Sequence, residues 1–205
     1  MVEINPHDLL KIDSISALSD ELPSWADSIF PNSLTVVVRR SPLKAGLIPV
    51  GVRGIKREHR FATYVDLKDV LEVTTPYELV EKKVWERIIP ERQILPAIKA
   101  LPKVDKVLHD YHWGISGSVG FELATGTRAA KMTSDLDLVW LPEQEISKCA
   151  AGELLKELNQ FGVHADLQVI QANNGFSLEE YANSTSTIMM KTLEDPILVK
   201  DPWLK

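Results

Sequence analysis

The stretch Ser134-Asp135-Leu136-Asp137-Leu138-Val139-Trp140 constrains this chain more than any other part of it. Acids and leucines alternate at period two, which is the side-chain period of a strand and does not fit one face of a helix. As a strand, the segment sends Asp135 and Asp137 to one side of a sheet and Leu136 and Leu138 to the other. The leucine side has to be covered, and the aspartate side has to stay open to water, a ligand or a cation. Two carboxylates pointing the same way repel each other, and a hard cation such as Mg²⁺ with oxygen ligands relieves the repulsion. A solvated strand face produces the same alternation, so the motif needs support from elsewhere in the chain.

That support comes from both sides. Upstream, Trp113-Gly-Ile-Ser-Gly-Ser-Val119 reads as a strand ending in a Gly-Ser turn, followed by helix-like composition from Val119 to Ala124. Gly117 and Ser118 at such a helix start let backbone N–H groups and a hydroxyl approach a phosphate. Asp135 follows Ser118 by seventeen positions, room for a short helix and a turn at Gly126, so both halves can meet at one sheet edge. Downstream, Asp166 and Gln168 share a face of the strand expected over Val163 to Gln171. Asp166 supplies a third carboxylate, either as a ligand to the ion nearest the nucleophile or as acceptor of its proton.

The rest of the chain divides by pattern. Leu34-Thr-Val-Val-Val-Arg39 is a β-branched run, and Ile48 to Arg53 reads as an edge strand broken by Pro49 and Gly51. Glu91 to Leu108 has helical spacing interrupted by Pro96 and Pro102, which predicts helix fragments. Glu145 to Phe161 predicts a helix stopped by Gly162, and Tyr181, Ile188, Met189, Met190 and Leu193 predict a last helix packed on the sheet. The expected fold is α+β: a strand-rich N-terminal region, residues 1–85, and a core of mixed sheet flanked by helices, residues 86–205. The boundary falls loosely near 80–90.

Charge narrows the partners. The net charge is -6, which argues against a general affinity for nucleic acid. Yet residues 36–60 hold seven basic side chains (Arg39, Arg40, Lys44, Arg53, Lys56, Arg57 and Arg60) against the single acid Glu58. A basic segment on an acidic chain suits a defined phosphorylated ligand or an acidic partner, or is a solvated face. The single cysteine, the opening residues without a basic leader and apolar core, and the lack of a long apolar run lead to the expectation of a cytoplasmic protein that does not span a membrane.

The Gly-Ser turn, the D-x-D strand and a later strand aspartate, in that order, resemble the polymerase-β-type nucleotidyltransferase superfamily. A narrower resemblance covers almost the whole chain. Pro6-His-Asp-Leu-Leu10, Val36-Val-Val-Arg-Arg40, Gly46-Leu-Ile-Pro-Val-Gly-Val-Arg-Gly54, Arg60-Phe-Ala62, the run Gly117 to Gly126, Ser134-Asp-Leu-Asp-Leu138 and Asp201-Pro-Trp203 are similar to the phosphoribosyl-dephospho-CoA transferase of malonate decarboxylase, its holo-acyl-carrier-protein synthase. Ile115-Ser116 stands where that family more usually has Pro-Thr.

The resemblance implies a reaction between 2'-(5-triphosphoribosyl)-3'-dephospho-CoA and a serine of the apo acyl carrier subunit, with pyrophosphate leaving. It implies Asp135 and Asp137 as Mg²⁺ ligands and Gly117 and Ser118 as the phosphate-contacting turn. Asp166 joins the carboxylates, and Arg39, Arg53 and Arg60, with Arg40 and Arg57 beside them, become candidates for contact with substrate phosphates or an acidic carrier.

Transfer of AMP or UMP to a protein or small molecule is the alternative chemistry for the same residues, and a catalytically silent docking module is the alternative class. An intact Ser118, Asp135 and Asp137 set speaks against silence. His7, His59, His109, His112 and His164 lack metal-binding spacing, and His164 reads as structural. Cys149 reads as a packing residue on a helix face.

Overall fold

A computed structural model describes residues 3–26, 34–42, 44, 46–54 and 59–204. Arg57, and with it Lys56 and Glu58, lies outside the described residues. The chain divides into two compact units, Met1–Thr75 and Pro76–Lys205.

The first unit is an antiparallel sheet of β1 (Leu9–Ile12), β2 (Leu34–Val38), β3 (Ile48–Arg53), β4 (Arg60–Val65) and β5 (Val70–Thr74), in the spatial order β4-β3-β2-β1-β5. Alternation makes the core: Leu10, Ile12, Val36, Val38, Val50 and Val52 are all buried in one cluster, while Lys11 between the first two is exposed. The edge position expected for Ile48 to Arg53 is corrected, because β3 pairs with β2 on one side and β4 on the other. Pro49 is tolerated there because it falls just past the last β2 pair, Val38 with Val50, where no ladder donor is required of it.

The second unit is built on the four-stranded sheet β6 (Trp113–Ile115), β7 (Leu136–Trp140), β8 (Ala165–Gln171) and β9 (Asn174–Ser177), in that order. The pairings are antiparallel, parallel and antiparallel in turn, which makes the sheet mixed. Five α-helices accompany it: α1 (Pro76–Glu81), α2 (Pro96–Val107), α3 (Gly117–Thr125), α4 (Lys148–Leu158) and α5 (Leu178–Asn183). Leu136, Leu138, Leu167, Val169, Leu101 and Leu158 meet in one core cluster. The chain is therefore a mixed α+β protein.

Glu91 to Leu108 contains one helix where fragments were expected. Pro96 occupies its first turn, where a missing N–H costs nothing, and Pro102 lies inside. An interior proline costs about 3 kcal/mol, and the buried stripe Ala97, Ile98, Leu101 and Val104 offsets it. Helix α4 is capped by the Ser147 hydroxyl, which accepts from the Ala150 N–H. After a 3-10 turn, Gly162 adopts the left-handed conformation at φ 79°, as its position in the sequence suggested.

The expected last helix is only partly present. Tyr181 lies in α5, but Ile188–Met190 is a strand, β10, paired with β11 (Ile197–Val199). Ile188 and Met190 are buried and Met189 is exposed, a period of two that three residues are too few to display in the sequence. Cys149 is exposed, which corrects the packing role; on α4 the buried positions are Ala151, Leu154, Leu155 and Leu158. No helix among the described residues is long and apolar enough to cross a membrane.

Candidate active site

Parallel pairing of β7 with β8 sets Asp137 directly beside Asp166 in the register, with Leu136 beside Ala165 and Leu138 beside Leu167. Because neighbouring residues in register project to the same side, the two carboxylates stand together on the face opposite the leucine core. Both are half-buried. Asp135 is exposed and precedes β7 by one residue, so it sits at the mouth of this face and outside the ladder.

The Gly-Ser turn closes on the same point. The Ser116 N–H donates to the Asp137 carbonyl at 2.9 Å, extending the β6–β7 pairing by one step. Gly117 then takes φ 61° to start α3, and a Cβ at this position would fall inside the Asp137 carboxylate. Glycine is required twice over, for the left-handed backbone and for the approach of Asp137. Ser116, the N-cap, makes no side-chain cap bond, and no acid lies in the first turn of α3. The helix start thus presents its partial positive charge, about half a unit, with Asp137 alongside.

Ser118 is buried, and its hydroxyl lies 3.3 Å from that of Ser134, which in turn accepts from the Lys131 N–H at 2.9 Å. The hydroxyl therefore ties α3 to the loop leading into β7. Sixteen positions separate Ser134 from Ser118 in the sequence, and only the fold brings the two hydroxyls together.

Two further residues carry weight that their spacing did not announce. Glu122, buried on α3, receives both arms of Arg92, Nε at 2.5 Å and Nη2 at 2.8 Å, and the N–H groups of Ala129 and Ala130 at 2.8 Å each. Burial pushes its carboxyl up, but the Arg92 bonds and the two N–H groups outweigh burial and hold it below the ordinary glutamate value. The same pairing raises Arg92. This pair fixes the return from α3 towards β7; the sequence clue was a lone acid among the apolar residues of Gly117 to Gly126.

Gln168, one step along β8 from Asp166 on the same face, is 8% exposed, and its Nε2 has no hydrogen-bond partner among the described residues. A buried donor without an acceptor costs about 1–3 kcal/mol, so the carboxylate face carries a group that an incoming oxygen would satisfy.

Among the described residues no three His, Cys, Asp or Glu side chains are gathered closely enough to enclose a metal ion. Mg²⁺, however, is ordinarily held by one or two carboxylates with phosphate and water oxygens completing its shell. The Asp137–Asp166 pair beside a helix start fits that donor set. A phosphate drawn to the start of α3 would meet the Asp137 carboxylate there, and a cation between them would reconcile the two negative groups.

Arg39, Arg53 and Arg60 belong to the first unit, after β2, at the end of β3 and at the start of β4. His164 is exposed, 3.6 Å from Glu179. Trp140 is buried, packed edge-on against Tyr111 and Trp203.

Comparison with known proteins gives a consistent result along the whole chain. Residues 5–76 match the family model of the phosphoribosyl-dephospho-CoA transferase MdcG N-terminal domain, and residues 83–202 that of the MdcG C-terminal domain. A phosphoribosyl-dephospho-CoA transferase of Pseudomonas syringae pv. tomato is 36% identical, covering 97% of this chain and 92% of its own length. Proteins of the same name from Pseudomonas fluorescens and Klebsiella pneumoniae are 34% and 33% identical, with 97% of this chain and 93% and 95% of their own lengths covered. No solved structure matches with comparable significance.

Proposed function

The chain belongs to the phosphoribosyl-dephospho-CoA transferase family and is a transferase of that type; from this premise we propose that it loads the prosthetic group of malonate decarboxylase onto its acyl carrier subunit. The donor is 2'-(5-triphosphoribosyl)-3'-dephospho-CoA and the acceptor a serine hydroxyl of the apo carrier. The serine oxygen forms a bond to the α-phosphorus, the bond from that phosphorus to the bridging oxygen breaks, and pyrophosphate leaves with the bond's electron pair.

The observation that carries this reading is the Asp137–Asp166 pair, in register on one sheet face, with Gly117 and the start of α3 against it. The core is read as a polymerase-β-like nucleotidyltransferase. When bound between Asp137, Asp166 or Asp135 and the donor's phosphates, Mg²⁺ would supply the positive charge that offsets the triphosphate and favours departure of pyrophosphate.

The chain's own residues do the rest. Backbone N–H groups at Gly117 and Ser118 orient a phosphate at the helix start. Asp166 accepts the proton of the attacking serine or completes the ligand set. Gln168 donates its idle Nε2 hydrogen to a donor oxygen. Asp135, at the mouth of the face, adds the second carboxylate of the D-x-D motif.

The test is the intact mass of purified apo carrier after incubation with enzyme, donor and Mg²⁺. A gain equal to the phosphoribosyl-dephospho-CoA moiety is expected; a gain of AMP or UMP from ordinary nucleotides, or no gain from any donor, would overturn the assignment. Asp135→Asn should abolish transfer with the fold intact, since it removes one ligand charge at nearly constant volume.

A further inference from the structure

Residues 123–134, the return from α3 to β7, contain two bases, Arg128 and Lys131, and no acid. The segment is fixed at both ends. Ala129 and Ala130 donate their N–H groups to Glu122, and Arg92 Nη2 donates to the Ala130 carbonyl. Further on, the Ser134 N–H donates to the Lys131 carbonyl at 3.0 Å and the Lys131 N–H to the Ser134 hydroxyl. These two bonds close a tight turn with Met132 and Thr133 at its tip. The Ser118 hydroxyl, 3.3 Å from that of Ser134, anchors the turn to α3.

A backbone held this firmly displays side chains that its own fold does not use. Arg128, Lys131 and Met132 are exposed, Met132 at 58%. Neither base forms an ion pair among the described residues. Arg92 ties a second apolar stretch to the same loop: Ile89 and Ile94, three residues before it and two after, are 51% and 67% exposed. Single exposed apolar residues are ordinary, but here three stand on either side of one tie with positive charge beside them. An apolar area rimmed by charge is the make-up of a protein interface, and a rigid one loses little freedom on binding.

Position selects the occupant. Asp135 follows the turn directly, at the mouth of the carboxylate face, and Met132 lies at most about 11 Å of chain from it. In an in-line displacement the attacking oxygen enters opposite the leaving pyrophosphate. A protein that carries the attacking hydroxyl therefore rests its own surface against the residues bordering the mouth. Arg128 comes just after the far end of α3, whereas the donor's phosphates are drawn to its start, so the surface extends beyond the donor.

We propose that the turn 131–134, with Arg128, Ile89 and Ile94 beside it, docks the protein acceptor through an apolar patch flanked by acidic side chains on that partner. The inference rests on the reading that the acceptor is a carrier protein, and adds the surface that receives it. Arg128 and Lys131 meet the acids and act mainly on association rate and salt dependence. Met132, with its unbranched and adaptable chain, supplies apolar contact with the two isoleucines.

The test measures binding of purified apo acyl carrier subunit, without donor, at two salt concentrations, and KM for the donor separately. Arg128→Glu/Lys131→Glu should weaken carrier binding roughly tenfold or more at low salt and less at high salt, with the donor KM within about twofold of wild type. Met132→Ser should weaken it about fivefold at both salt concentrations. The neutral pair Arg128→Gln/Lys131→Gln should show a smaller loss with the same salt dependence, and serves if charge reversal disturbs folding. A raised donor KM with carrier binding intact overturns the proposal. If the variants weaken carrier binding but wild type never adds mass to the carrier, the transfer reading fails and the docking surface stands. If wild type modifies the carrier and every variant binds it as wild type does, the surface fails and the transfer reading stands.

Discussion

Gly117→Ala is the most discriminating single change in this protein. The substitution carries two costs that can be separated. An L-residue at φ 61° costs about 1–2 kcal/mol in backbone terms. The added Cβ also lands within the Asp137 carboxylate, so either Asp137 or the start of α3 must move. A displacement of about 1 Å at a reacting centre can cost 10²-fold in rate, or about 2.7 kcal/mol of barrier.

Gly126→Ala provides the control, because Gly126 closes the same helix at φ 70° with nothing within 4 Å of a new Cβ. Gly126→Ala should lose about 1–2 kcal/mol of stability in urea titrations, and Gly117→Ala at least as much, since it carries the Asp137 clash as well. Only Gly117→Ala should also lose kcat, by roughly 100-fold, in an assay of pyrophosphate release with donor and apo carrier. Equal activity losses in the two variants, or a Gly117→Ala kcat within threefold of wild type, would refute the claim that Asp137 is placed by the missing side chain.

Glu122→Gln should destabilise the second unit by about 3 kcal/mol, since it leaves the Arg92 guanidinium largely enclosed without its counter-charge. The wild-type pair also predicts a pH dependence. The carboxyl is held below its unfolded value, so its contribution is complete above about pH 4.3 and is lost as the pH falls through the lowered folded value. Urea midpoints from pH 7 to pH 3 should show this loss in wild type and a shallower one in the variant; parallel curves would remove Glu122 from the account. Gln168→Leu removes a buried donor that has no acceptor among the described residues, so the ligand-free protein should be as stable as wild type or more so, while the donor KM rises. Lower stability with an unchanged KM would mean that Gln168 is a structural residue.

Much of the second unit could be read from residue order. The period-two pattern of Asp135 to Leu138 forced a one-sided strand, and Gly-Ser before a helix marked the turn, because both signals are local backbone geometry. The same logic misled at Ile188 to Met190, where a three-residue strand is too short for period two to stand out against a helical spacing. Pro49 suggested an edge, because the sequence does not show where a neighbouring strand ends.

The sequence by itself determined which side of β7 and of β8 is polar, that a helix starts at the Gly117-Ser118 turn, and that residues 36–60 are basic. Only the tertiary structure decided that Asp137 lies beside Asp166 and that Arg53 faces Arg60, because register is set by long-range pairing. It also decided that Gly117 is glycine on account of Asp137, twenty residues away, and that Glu122 is buried against Arg92. Local spacing fixes the face a side chain takes; what stands opposite it depends on how the whole chain buries its apolar surface.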